Sequence, residues 1–162
     1  MAGSGPSELI LLSAGLIVAA LVSGILLDTW DDMDDVLDER GKQGAEDVRT
    51  RLSLVSDPIN IAWEGGDNSK IHLQNSGDTF LDVNSVGAVL GGATMTVTVT
   101  DGVTTQWLPG ETVQFTLTNS GLDVDLDDGD NDLLMTVSVS STASGYTGVD
   151  SLREEVRIVK PA

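Results

Sequence analysis

The sequence predicts a mainly β protein with a long N-terminal α-helix, and three observations carry that prediction. An uncharged apolar run fills residues 9–27. A helical repeat of apolar residues continues from it, and the chain after Pro58 alternates with period two between glycine-rich turns.

The apolar run reads LILLSAGLIVAALVSGILL and contains no charge and no proline. As a helix it spans ~28 Å, close to the ~30 Å hydrocarbon core of a bilayer. A cleaved signal peptide needs a basic region before the apolar run and a small-residue cleavage site after it. Here no Lys or Arg precedes Arg40, and Asp28, Thr29 and Trp30 follow the run, so a retained anchor over residues 1–27 is expected. Few basic residues flank the segment, so the positive-inside rule has little to count. The short N-terminus is expected inside and the body outside. Gly15, Ala19 and Ser23 share one helical face, where close helix approach in lipid is possible.

Beyond Leu27 the repeat Trp30, Met33, Leu37, Gly41, Gly44, Val48, Leu52, Val55 steps by three and four. The intervening positions carry Asp31, Asp32, Asp34, Asp35, Asp38, Glu39, Lys42, Gln43, Glu46, Asp47, Arg49 and Arg51. Ser56-Asp57-Pro58 is the next stop, because proline disfavours helical geometry in the residue before it. Residues 28–57 are therefore read as an acidic helical stalk. Seven carboxylates fall within Asp28–Glu39, and a solvated face accounts for them. An apolar stripe on a stalk needs cover. Val48, Leu52 and Val55 are expected to pack on the chain's own β region, and Trp30, Met33 and Leu37 to meet partner helices.

After Pro58, Ile59, Ile61 and Trp63 alternate, as do Ile71 and Leu73, residues 94–100, residues 112–118, Leu133 to Val139, and Val156 with Ile158. Threonine and serine take the opposite face, as in strands wet on one side. Turn signals separate them: Gly65-Gly66-Asp67-Asn68, Asn75-Ser76-Gly77-Asp78, Gly91-Gly92, Asp101-Gly102, Pro109-Gly110 and Asn119-Ser120-Gly121. About seven short strands over residues 58–162 match an immunoglobulin-like β-sandwich. Aromatic residues are scarce, so Trp63, Trp107 and Phe115 are expected as core anchors.

Composition narrows the chemistry. Twenty-six acidic residues against eight basic ones give a net charge of −18, which repels nucleic acid and anionic headgroups. At molar salt the Debye length falls to ~3 Å and most of this self-repulsion is screened, which points to a halophilic source. The absence of cysteine removes disulfides, thiolate nucleophiles and cysteine-ligated metals. No catalytic site is expected. His72, the one histidine, falls on the polar side of a strand, and there is neither a GxSxG stretch nor a phosphate-binding glycine loop. No cofactor is implied. For a metal the weak candidates are Asp123, Asp125, Asp127, Asp128 and Asp130. Calcium favours six to eight oxygens, but the segment fails as an EF-hand: Asp128 stands sixth where glycine belongs, and Leu134 twelfth where Glu belongs.

The stretches SELILLSAGLIVAALVSGILLDTW, LDERGKQGAEDVRTRLSLVSDP, KIHLQNSGDTFLDVNSVGAVLGG and TTQWLPGETVQFTL resemble the archaeal flagellar accessory protein G family of the archaellin-related superfamily. That resemblance implies a non-enzymatic component of the archaellum. It would be a single-pass protein of the archaeal cell membrane with its C-terminal domain outside, acting as a stator with accessory protein F and other motor-complex subunits. It also implies a link to the surface layer and self-association. Two alternatives stand beside it: a filament-forming archaellin- or pilin-like subunit, processed after a glycine such as Gly3 or Gly5, and a cell-envelope adhesion module. Processing usually follows a basic residue, which Met1–Ser7 lack.

The acid excess makes its own test. The melting temperature of the full chain in detergent should rise as salt goes from ~0.1 M to ~1 M, where the Debye length shortens from ~10 to ~3 Å. A melting temperature that is flat or falling over that range contradicts the halophilic reading.

Overall fold

A computed structural model describes residues 5–64, 68–102, 104–142 and 145–161. The expected turn at Gly65-Gly66-Asp67 and the processing positions around Gly3 lie outside the described residues. The chain forms two compact units, residues 1–42 and 43–162. The first consists of helix α1 up to Lys42. The helix as a whole runs Gly5–Arg49, and its last turns belong to the second unit.

The second unit is all β apart from that helix end and two short turns of helix. Its strands are β1 (Leu52–Leu54), β2 (Ile61–Glu64), β3 (Asn68–Asn75), β4 (Gly87–Leu90), β5 (Ala93–Val99), β6 (Thr112–Thr118), β7 (Gly129–Ser140) and β8 (Val149–Lys160). Two separate sheets were the expectation, but the hydrogen-bonded ladder closes into a barrel. The ring runs β3–β2–β8–β7–β4–β5–β6 and returns to β3.

Two strands close it by changing partner midway. Residues 93–95 of β5 pair with β4, whereas residues 96–99 pair with β6. In β2, Ile61 and Ala62 lie parallel to Ile158 and Val159 of β8, while Trp63 and Glu64 lie antiparallel to Ser69 and Asn68 of β3. A regular alternation cannot reveal such a switch, because the side-chain period is the same on either side of it. β6 covers one edge of β3, and β1 and β2 share the other.

The inward residues make one core. Trp63, Trp107 and Phe115 are buried in it as expected, with Ile71, Leu73, Leu81, Met135 and Val137 around them. The Trp107 and Phe115 rings are tilted by 48° with centroids 5.2 Å apart, a favourable aromatic geometry. Trp107 Nε1 donates to the Glu111 carbonyl at 2.9 Å, so its polar edge is satisfied inside. At the β4–β5 hairpin, Gly91 and Gly92 have φ of 58° and 87°, the left-handed region a tight two-residue loop requires.

The elements that the sequence signals missed include a short helix and a short strand. Asn119-Ser120-Gly121 reads as a turn but begins helix α2 (Ser120–Asp125), where the Asn119 side chain accepts the Leu122 N–H at 3.0 Å. Strand β4 is only four residues long and reads GAVL, too short for a period to register.

Removing a core anchor leaves a cavity that a closed ring cannot collapse into. Phe115→Ala should cost about 3–5 kcal/mol in denaturant unfolding of the full chain. A loss under about 1 kcal/mol contradicts this placement.

Candidate functional site

Two features stand apart from the core: the exposed helix and the hydrogen bonds that hold its last turns in the second unit. Within the first unit no residue of α1 is buried. The large apolar side chains of residues 9–27 are between 51% and 72% exposed. This is the one helix among the described residues long and apolar enough to cross a membrane. Trp30, Met33 and Leu37 are equally exposed on the following turns.

In the second unit the helix end is fastened by a collar of hydrogen bonds. Gln43 Nε2 donates to the Thr147 carbonyl at 2.7 Å, and Asp47 Oδ1 accepts the Val149 N–H at 2.9 Å. Thr50, fully buried, donates its hydroxyl to the Glu46 carbonyl at 2.9 Å and lies 3.1 Å from the Thr79 hydroxyl. Gln43, Asp47 and Thr50 are spaced i, i+4, i+7 and so share one side of a helix. Carbonyls freed at the helix end are taken up by the loop after β3. Arg49 O accepts the Asp78 N–H at 2.9 Å, and Arg51 O accepts the Ser76 N–H at 3.0 Å. Asp150 Oδ2 then accepts the Leu52 N–H at 2.7 Å.

That loop is held by Asn75, which is fully buried. Its Nδ2 donates to the carbonyls of Thr79 at 2.7 Å and Trp107 at 3.2 Å, and its Oδ1 accepts the Gly77 N–H at 3.1 Å. Its main chain reaches across to Glu111 O at 3.0 Å and Gly110 N at 2.7 Å. Asn75-Ser76-Gly77 and Trp107-Leu108-Pro109-Gly110-Glu111 both fall in the stretches that carry the family resemblance. Here they form one network. Gly77 and Gly148 are required by closeness: a Cβ on Gly77 would strike the Arg49 carbonyl, and one on Gly148 would strike the Thr50 hydroxyl.

The second expected trio divides. The stalk helix was expected to reach Ser56, but it ends at Arg49, because Leu52 pairs with Asn75 and Leu54 with Leu73 in strand β1. Leu52 is accordingly core, 6% exposed, but as a strand residue. Val48 and Val55 stay exposed and do not pack the helix on the barrel. The periodicity pointed at the right residue in the wrong element, and the polar side of the helix makes the contact instead.

The acidic segment is used for local structure. Asp123 Oδ1 accepts the Trp63 indole N–H at 2.6 Å and lies 3.4 Å from Lys160 Nζ. Asp130 and Asp132 face Arg157, at 3.6 and 2.7 Å. The guanidinium hydrogen bond holds the Asp132 carboxyl below the usual carboxylate range. The support this pair gives the fold is thus present at neutral pH and lost as the pH falls through that lowered value. Asp125, Asp127 and Asp128 join no shared cluster, and no group of three or more His or carboxylate side chains among the described residues could hold a metal ion. His72 is exposed on the outer face of β3, 3.5 Å from the Ser56 hydroxyl.

Two variants test the collar. Asn75→Ala strands buried partners and should cost roughly 2 kcal/mol or more. Gly148→Ala should cost about 1–3 kcal/mol through overpacking. Gly41→Ala, with nothing within 4 Å of its added Cβ, should leave denaturant unfolding of the barrel unchanged. Equal effects at all three positions contradict the collar.

A family model described as archaeal-type flagellin matches residues 2–140. No curated protein matches the sequence. Among solved structures, the archaellum periplasmic stator protein FlaG from Sulfolobus acidocaldarius is similar at 16% identity, over 64% of this chain and 99% of that one, with a TM-score of 0.35. AggA, the major subunit of aggregative adherence fimbriae type I from Escherichia coli, is similar at 6% identity, over 68% and 93% of the two chains, with a TM-score of 0.33. Both likenesses are too remote to carry an argument, and the narrower resemblance to accessory protein G is not what the family match gives. An apolar helix joined to a β barrel, together with a match over most of the sequence, leads to one statement: the chain belongs to the archaeal-type flagellin family.

Proposed function

We propose that this archaellum-associated, membrane-anchored structural subunit is a filament-forming subunit of the flagellin type. The observation that carries the reading is the family match over residues 2–140, which spans the helix and most of the barrel. The physical counterpart is the exposure of α1. Its residues 9–27 need an apolar surrounding that the chain itself does not supply, and a bilayer followed by neighbouring helices supplies it.

On this reading the subunit performs no chemistry. It waits in the cell membrane with its barrel outside, and assembly transfers α1 from lipid to the helices of other copies. Trp30, Met33 and Leu37 are the first residues past the apolar run available to those neighbours. The collar gives the subunit mechanical sense, since Gln43, Asp47 and Thr50 tie the helix end to the barrel through side chains rather than through a free linker. A stator contacting accessory protein F, other motor subunits and the surface layer is the competing role.

Deleting the gene separates the two. A filament subunit leaves cells without filaments, and mass spectrometry of wild-type filaments finds the chain as a repeated component with a defined mature N-terminus. Filaments that assemble but do not turn overturn this reading in favour of the stator. Alanine at Trp30, Met33 and Leu37 should weaken assembly while the barrel's melting temperature is unchanged. Unimpaired assembly of that triple variant removes those residues from the contact.

A further inference from the structure

We propose that the outer face of β3, β6 and β5 is the surface through which the barrels of neighbouring copies meet. The charge pattern has a gap on this face. The chain carries 26 acidic residues, yet no outward position of these three strands is Asp or Glu. The β7–β8 side differs sharply, with Asp130, Asp132, Glu155, Arg153 and Arg157 on it.

What replaces charge is a lattice of hydroxyl and amide groups. Thr96 stands opposite Thr118 and Thr98 opposite Thr116, and β6 sets Thr116 beside Lys70 of β3. The remaining outward positions are Thr, Asn or Gln, apart from His72. Neighbouring strands lie ~4.8 Å apart and same-face residues ~6.8 Å apart along each strand, so the groups form a regular grid. The Thr116 and Thr100 hydroxyls are 2.9 Å apart, so the grid is partly tied together. Lys70, its one ammonium, is 2.7 Å from Glu64 at the rim.

A second copy of the chain is the partner this face fits. Two chains of charge −18 repel wherever carboxylates face each other, and burying an unpaired carboxylate costs more still. Only a face without them can be covered by another copy at little cost. Threonine hydroxyls and Asn or Gln amides both donate and accept, so the grid is complementary to itself. The proposal rests on the filament reading only in needing neighbouring copies.

The cysteine-free sequence makes the test clean. Thr98→Cys is placed on this face and Ser151→Cys, exposed on β8, serves as the control. Membranes and filaments carrying the full chain are treated with a short bis-maleimide. Cross-linked dimer is expected with Thr98→Cys and not with Ser151→Cys. Adding Thr96→Glu and Thr118→Glu should reduce the Thr98 cross-link to background with the melting temperature retained. Equal cross-linking at both cysteines, or indifference to the added glutamates, overturns the proposal. So does a Thr98 cysteine shielded from a monofunctional maleimide without cross-linking, since something other than a second copy then covers the face. The membrane reaction reads the contact whether or not filaments form. Absent filaments in the wild type count against the filament reading, and filaments without the cross-link count against this face alone.

Discussion

The governing constraint is the apolar helix, whose residues 9–27 are exposed among the described residues. A buried Leu, Ile or Val is worth ~1.5–3 kcal/mol, so the twelve such residues between Leu9 and Leu27 represent on the order of 20 kcal/mol of unfavourable hydration. A whole domain is stable by only ~5–15 kcal/mol. The barrel cannot compensate for such a surface in water, so another phase or other helices must take it up. An acidic exterior fits this division, since it keeps the barrel hydrated while the helix leaves water.

Much of this was legible in the sequence, and the reasons are physical. A charge-free run is unambiguous because every position reports the same environment. β3, β6 and β7 were readable because each has one wet and one dry side, and the scarce aromatics marked the centre of the core. The misses share a cause as well. The repeat from Trp30 to Val55 remains apolar through Leu52, and spacing alone cannot show that Leu52 enters a strand once Asn75 becomes its partner. Barrel closure was equally hidden, because a strand that changes partner keeps its alternation.

The collar was visible only as fragments. Asn75-Ser76-Gly77 stood out as a turn, but a turn signal does not reveal that the Asn amide is buried and spans two loops. Gln43 and Asp47 lie off the apolar stripe and Thr50 follows the helix end, and it is these polar residues, not the stripe, that the barrel holds. The acidic segment after Asn119 shows the reverse case. Suggestive spacing there serves a short helix and two ion-paired strands.

β2 closes the ring with short ladders. Among the described residues two register pairs join it to β8 and two to β3, whereas β7 and β8 are zipped along twelve. Few ladder bonds close the wall at β2, so the buried Ile61 and Trp63 side chains behind it carry much of the closure. Parting there turns the closed ring into an open, curled sheet with the long hairpin intact.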